Sequence, residues 1–322
     1  MRSIQTSVVF PLSSVKPLEG LQRYRDFCLA ATRTALGSER VSRPRCPACD
    51  DAAAPAGTVE GLTYARCRGC ESLFLDAVAR PAAWAELVRR VTQYRHSPDT
   101  FHAGIAQSRR DNVFAPKLDW IRSTLLLQDV TRPHLIEIGT APSDVEALLR
   151  ESGLFASVVA LDEMTTMAEP ARGGDDRAGV AVMLESLDRV SDPLALLRAV
   201  GRRLAGGGLL FVTALVASGF DVAVLGLDNL YLYPPDRANC FSRRGLEQML
   251  ERAGFALLEV STPGVLDVEV VKAHVRHGVA LALGAFERQL LAGDEETRNA
   301  FQSFLQQQGL SSFARIVARK YR

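Results

Sequence analysis

Two groups of residues in this 322-residue chain have the types and spacing to do chemistry. The first is Cys46-Pro-Ala-Cys49 with Cys67-Arg-Gly-Cys70, the pairs separated by 17 residues. Each CxxC knuckle presents two thiolates to one ion, and two knuckles from opposite ends of a hairpin complete the tetrahedron that a structural Zn²⁺ prefers. Four cysteine ligands leave no open coordination position, so the expected role is to hold together a segment too small to fold on its own core. The bland alternative is four reduced thiols that bind nothing. A redox role is disfavoured, because no thioredoxin-like βαβ pattern surrounds either pair. Residues 50–66 hold one basic residue, Arg66, which argues against a zinc-ribbon grip on nucleic acid.

The second group is a set of acids and glycines at the ends of short apolar runs. Leu135-Ile-Glu-Ile-Gly139 carries Glu137 and Gly139 and leads through Thr140-Ala-Pro-Ser143 into an amphipathic segment. Ser157-Val-Val-Ala-Leu161 ends in Asp162 and Glu163, Val180-Ala-Val-Met-Leu184 ends in Glu185, and Leu209-Leu-Phe-Val-Thr213 follows Gly206-Gly-Gly208. Acids and glycines at successive strand ends line the ligand crevice of an open α/β sheet. The run from Gly219 to Asp236 is rich in tyrosine, acid and proline and lies beyond a strand end, where substrate contacts belong.

The elements that must position these groups follow from periodicity. Helices are expected over residues 18–36, 81–91, 114–127, 194–204 and 243–253, with Ser191 as a cap, Pro193 in a first turn and Gly254 as a stop. Two or three amphipathic helices are expected over 268–308, and strands over 255–260 and 313–319. Residues 94–102 read as a lid or a loop, with His96 and His102 solvated. Cys28 and Cys240 read as packing residues. The chain is 47% hydrophobic and 23% charged with net charge +1, which suits a folded core and provides no field for nucleic acid or acidic lipid. No apolar run approaches the ~20 residues of a membrane helix, and no secretory core opens the chain. A cytoplasmic protein with no nucleic-acid or membrane partner is expected.

The sequence resembles class I, Rossmann-like S-adenosylmethionine-dependent methyltransferases with an N-terminal zinc-binding domain, over roughly residues 44–320. The likeness is carried by Asp192-Pro193, residues 204–213, Gly219-Phe-Asp221, Pro234-Pro235, Phe241-Ser242, residues 250–255, Thr262-Pro-Gly264 with Leu266-Asp267, and Ser311-Ser312. It implies an α/β fold: a Rossmann-like seven-stranded sheet with its last strand antiparallel, a small four-cysteine zinc-ribbon head and helical insertions. The implied division is an N-terminal arm and helix over 1–43, the zinc head over 44–76, a helical linker or lid over 77–131 and the Rossmann-like domain over 132–322. The resemblance implies S-adenosylmethionine and structural Zn²⁺ as cofactors. Glu137, Gly139 and Thr140 fall in the first cofactor motif, and Asp162 or Glu163 matches the acid that holds the ribose hydroxyls. Glu185 matches the strand end that faces the methyl group and substrate.

The turn after Gly139 departs from the family's two or three glycines, and the 17 residues between Asp162 and Val180 are short for a helix plus the strand that usually lines adenine. Where the family commonly has histidines, this chain has Leu187-Asp188, Asp236 and Phe313. The acceptor-side catalytic candidates are therefore Asp188, Tyr231, Tyr233 and Asp236. The expected activity is methyl transfer to a polar small molecule, such as a sugar nucleotide or a natural-product intermediate. The alternative is a protein that keeps the fold with a degenerate cofactor site and serves as a partner or scaffold of a pathway enzyme, or catalyses another reaction.

Overall fold

The computed structural model describes residues 10–38, 40–141, 143–168 and 177–321; Pro142 of the altered turn lies outside them. Five short strands come first: β1 (Arg40–Ser42), β2 (Ala53–Val59), β3 (Leu62–Cys67), β4 (Leu73–Leu75) and β5 (Ala77–Ala79). The central strands are β6 (His134–Ile138), β7 (Ser157–Leu161), β8 (Ala178–Leu184) and β9 (Leu204–Leu215), followed by β10 (Asn239–Cys240), β11 (Phe255–Ser261) and β12 (Phe313–Lys320). The main sheet has the order β11-β12-β9-β8-β6-β7. Strands β7, β6, β8 and β9 run parallel, and β12 is antiparallel to both β9 and β11.

The sequence builds this sheet by burying both faces. Ile136, Ile138, Ala181, Met183, Leu210 and Val212 pack on one side against Leu196, Leu197, Val200, Leu246 and Met249. Their neighbours Leu135, Val180, Val182, Leu209 and Phe211 pack on the other side against Leu118, Trp120, Ile121, Val145 and Leu149. Period-two alternation with apolar residues at both phases is what a parallel sheet covered by helices requires. The Ala115–Leu127 helix, counted from sequence with the 77–131 segment, therefore forms part of the layer on the sheet.

Several local expectations shift. Six strands pair among the described residues where seven were expected. None of those residues pairs with the outer edge of β7, and residues 169–176 of the β7–β8 connection lie outside the description. The cap of the Pro193–Arg203 helix is Asp192, which accepts from the Ala195 N–H, while Ser191 donates to Glu163. Gly206 to Gly208 lie inside β9 rather than before it. A helix at Phe101–Arg109 was not foreseen. No described helix is long and apolar enough to cross a membrane.

The cysteine-bearing segment is sewn onto the main domain. Strands β2, β3 and β4 form a sheet that β10 extends, pairing Asn239 with Phe74 and Cys240 with Leu73. Ser242 donates its hydroxyl to the Cys70 carbonyl, and its N–H donates to Ser72 Oγ at 2.9 Å. Cys46, Cys67 and Cys70 share one apolar cluster with Leu246, Met249 and Leu250. The Arg243–Arg252 helix thus supplies the core that the small segment lacks.

The late motifs have a packing explanation. Asp267 accepts from the Ser311 hydroxyl at 2.7 Å and from the Ser312 N–H at 2.6 Å. A Cβ at Gly219 would overlap the Ser312 backbone, and one at Gly264 would overlap Ser311 Oγ. Gly219→Ala is therefore expected to lower stability by about 1–3 kcal/mol, since the obstruction is backbone rather than a flexible tip. Gly104→Ala, in an exposed helical position with open space around it, should be neutral or stabilise by about 0.5–1 kcal/mol. Urea unfolding of the two variants measures the contrast; equal midpoints would refute the packing account.

Candidate functional site

The parallel strands change winding direction at β6, with β7 on one side and β8 on the other, and a crevice opens at their carboxyl ends. The Pro81–Arg95 helix lies across it: Val88, Thr92 and Arg95 face a cavity of about 240 Å³, and Ala85, Arg89 and Gln93 face one of about 590 Å³. The cavities share Val88, Glu137, Gly139, Thr140, Ser143 and Glu163, so they are two ends of one crevice. Trp84 on the covering helix donates its indole N–H to the Arg189 carbonyl at 2.6 Å. The cover is thus this helix, not only the 94–102 stretch.

Glu137 is 4% exposed and folds back over Gly139, whose missing Cβ leaves room for its carboxylate. Ser143 Oγ donates to Glu137 Oε1 at 3.2 Å and also accepts from the N–H groups of Val145 and Glu146, capping the Asp144–Glu151 helix. The Gly139 N–H ties the turn to the Leu161 carbonyl at 3.0 Å. Burial pushes the Glu137 pKa up to about 7 against the pull of Ser143. Thr140 and Ser143 line both ends of the crevice and Ala141 lines the larger, leaving it open.

Asp162 is exposed at the end of β7, lines the larger end and caps the Glu163–Met167 helix through the Thr165 N–H at 2.7 Å. Glu163 is buried, accepts from Ser191 Oγ at 3.1 Å, and has its pKa raised to about 7 by burial. Glu185, at the end of β8, lines the smaller end with φ of +60°. That left-handed conformation costs a non-glycine residue about 1–3 kcal/mol and persists where surrounding structure enforces it, commonly at functional sites. The Glu185 N–H is tied to the Thr213 carbonyl at 2.8 Å, and its carboxylate is held by Lys117 Nζ at 2.7 Å and Arg237 at 3.1 Å. Burial opposes ionisation of Glu185, but Lys117, Arg237 and Arg109 outweigh it and hold the carboxyl well below its usual range.

The crevice therefore gathers Glu137, Gly139, Thr140, Glu163 and Glu185, with Asp162 at its outer end. This acidic donor set suits a ligand that carries a sulfonium, an ammonium and ribose hydroxyls. The four acceptor-side candidates are placed elsewhere: none lines either cavity. Asp188 is 0% exposed, pairs with Arg237 at 3.0 Å and accepts from the Leu215 N–H. Asp236 is buried between Arg95 and Arg189 and accepts from Tyr24 Oη at 3.2 Å. Tyr233 packs edge-on against Tyr24, and Tyr231 donates to the Lys16 carbonyl at 2.6 Å. Their sequence signal was chemical type near a strand end, and burial behind the wall is invisible to that signal.

Sequence reasoning missed the cations. Arg95, Arg109 and Arg189 line the smaller end, and Lys117 stands behind it, 2% exposed. None sits in a motif, and Arg109 ends the unforeseen helix. His96 and His102, expected to be solvated, also line this end. His96 Nε2 lies 3.2 Å from Asp144 Oδ1, and that contact raises its pKa. Burial, reinforced by Arg95 and Arg109, pushes His102 down to about 3.

The four cysteines converge: Cys46 and Cys70 Sγ are 3.6 Å apart, Cys49 and Cys67 Sγ 3.3 Å, and all four lie within 4.8 Å of one another. A tetrahedron with metal–sulfur bonds of about 2.3 Å has sulfur–sulfur edges of about 3.8 Å, so the set fits one such ion. Cys28 and Cys240 are fully buried in another apolar cluster.

Residues 106–260 match the family model described as a methyltransferase domain. No curated protein sequence matches the chain. Among solved structures, the chain is similar to Burkholderia thailandensis 1,6-didemethyltoxoflavin-N1-methyltransferase with bound 1,6-didemethyltoxoflavin and S-adenosylhomocysteine, at 12% identity and TM-score 0.44, covering 83% of this chain and 99% of that one. It is also similar to the YcgJ protein of Bacillus subtilis, at 16% identity and TM-score 0.37 over 62% and 97% of the two chains. A third similar structure is the [4+2]-cyclase SpnF, at 16% identity and TM-score 0.35 over 62% and 81%. At these identities and TM-scores nothing about substrate follows. With the family match spanning β6 to β11, residues 106–260 form a methyltransferase domain, and the chain has the α/β, Rossmann-like methyltransferase fold.

Proposed function

We propose that the protein transfers a methyl group from S-adenosylmethionine to a polar small molecule, such as a sugar nucleotide or a natural-product intermediate, and carries a structural Zn²⁺ on Cys46, Cys49, Cys67 and Cys70. The observation that carries the first part is the covered crevice onto which Glu137, Asp162, Glu163 and Glu185 of the matched domain open from neighbouring strand ends. Asp162 would accept the ribose hydroxyl protons, and Glu137, Gly139 and Thr140 would flank the amino-acid part. Glu163 lines both ends of the crevice, and Glu185, at the smaller end, would face the acceptor. When bound, the cofactor supplies a methyl carbon already activated by sulfonium. The chain's own work would then be to align the acceptor and exclude water beneath the Pro81–Arg95 helix, whose residues line both ends of the crevice. Asp188 and Asp236 act as positioning residues that hold Arg237, Arg95 and Arg189. The division of the chain at 43, 76 and 131 stands as a proposal alongside this reading.

Calorimetric titration with S-adenosylhomocysteine tests the assignment. Because Glu137 sits near 7 in the ligand-free protein, its ionised fraction rises as pH climbs from 6 to 8. A cationic ammonium favours the ionised form, so affinity should be about tenfold tighter at pH 8 than at pH 6. Glu137→Gln should remove most of that dependence. A pH-independent affinity in the wild type would take Glu137 out of the site.

The second reading, a methyltransferase fold that no longer transfers methyl groups, is favoured by the lack of further glycines in the turn after Gly139, where Ser143 turns its hydroxyl onto Glu137. Mass spectrometry of the denatured, purified protein separates the two. A retained adenosyl ligand supports transfer; copurification of a pathway enzyme with no such ligand supports a partner role.

A further inference from the structure

We infer that the acceptor carries an oxyanion, a carboxylate or a phosphoryl group, that docks against Arg109 and Arg189 at the smaller end of the crevice; this rests on the methyl-transfer reading of the same site. Glu137, Asp144, Glu163 and Glu185 line that end with Arg95, Arg109 and Arg189, but the carboxylates and guanidiniums are not paired one to one. Glu185 is already matched by Lys117 and Arg237, and Asp144 is engaged by His96. Arg95 holds Asp236 Oδ2, and Arg189 shares the same carboxylate at 3.4 Å. Arg109 has no carboxylate within 4.0 Å among the described residues. Its guanidinium donates to the Val15 carbonyl at 3.2 Å and lies 5.3 Å from the Phe114 ring. Arg189 Nε is buried without a hydrogen-bond partner.

A guanidinium withdrawn from water without its own counterion costs free energy that a ligand can repay by supplying the charge. The planar fork of arginine matches carboxylate and phosphate oxygens two at a time. Position assigns the anion to the acceptor. Asp162, the ribose acid of the proposed function, lines only the larger end, whereas Arg109 and Arg189 line only the smaller end with Glu185. An anionic acceptor at that end supplies Arg109 with the counter-charge that the lining carboxylates give to other groups.

The test uses the full chain saturated with S-adenosylhomocysteine, titrated calorimetrically with inorganic pyrophosphate and, separately, with succinate. Saturable binding of either is expected, with pyrophosphate preference indicating a phosphoryl acceptor and succinate preference a carboxylate. Arg109→Gln and Arg189→Gln should each weaken it about tenfold. Arg122→Gln, at an exposed residue paired with Asp119, should leave it unchanged. No saturation by tens of millimolar of either probe overturns the inference, as does equal weakening by Arg122→Gln. Binding of S-adenosylhomocysteine and methylthioadenosine by Arg109→Gln separates the acceptor from the cofactor's own carboxylate. A loss confined to S-adenosylhomocysteine would give Arg109 to the cofactor and overturn the inference. Cofactor binding without anion binding sinks this inference alone. Anion binding without cofactor binding supports the oxyanion site and sinks the methyl-transfer reading.

Discussion

Cys70→Ser is expected to abolish bound zinc and to destabilise the whole domain rather than the cysteine-bearing segment alone. Cys70 is buried, its carbonyl accepts from Ser242, and Gly245 of the Arg243–Arg252 helix lies against its sulfur. Strand β4 beside it pairs with β10, which leads directly into that helix. Structural zinc binding is worth about 10–16 kcal/mol in small zinc-finger peptides, comparable to the roughly 5–15 kcal/mol of a whole domain. Even a fraction of it, transmitted through the shared cluster with Leu246 and Met249, should lower the melting temperature by more than about 10 °C. Metal analysis with a thermal melt checks this, and Cys28→Ala is the control: it should destabilise modestly and leave the zinc in place. One equivalent of zinc in wild type and none in Cys70→Ser is the expected pattern; metal-free wild type with an unshifted melt in the variant would contradict it.

Asp236→Asn should cost about 3–5 kcal/mol of stability at neutral pH, because it leaves the Arg95 and Arg189 guanidiniums buried beside an uncharged amide. The sign of the pH dependence follows from the folded pKa. Burial raises it, but Arg189, Arg95 and Arg237 together bring it below the ordinary carboxylate range. A depressed folded pKa contributes stability that is present above the unfolded value of about 3.9 and is lost as pH falls towards the folded value. The gap between wild type and Asp236→Asn should therefore be widest near pH 7 and shrink below about pH 4. Urea unfolding across that range measures it. An unchanged midpoint at pH 7 together with lost turnover would instead make Asp236 a catalytic residue.

The regular elements were legible because their signals are local. The apolar phases of Leu135 to Ile138 and Val180 to Leu184 state two buried sheet faces, and the CxxC spacing states four convergent sulfurs. The strand-end acids were legible because topology alone brings Glu137, Asp162 and Glu185 to one edge. What could not be read is which polar residues look into the crevice. Asp236 sits behind the wall because Arg95, on a helix far away in sequence, reaches it, Tyr233 because it packs on Tyr24, and Arg109 reaches the crevice from a helix whose periodicity is weak. The glycine-poor turn was legible as a departure but not as a solution: Ser143 caps the next helix and holds Glu137 at once, which no spacing rule states.

The most direct measurement is a crystal structure of the full chain soaked with S-adenosylhomocysteine. The expected result is adenosine at the larger end, with its ribose hydroxyls on Asp162, and the amino-acid part running past Gly139 towards Glu185. Millimolar ligand that leaves this crevice empty, or that binds away from the ends of β6 and β7, would contradict the account.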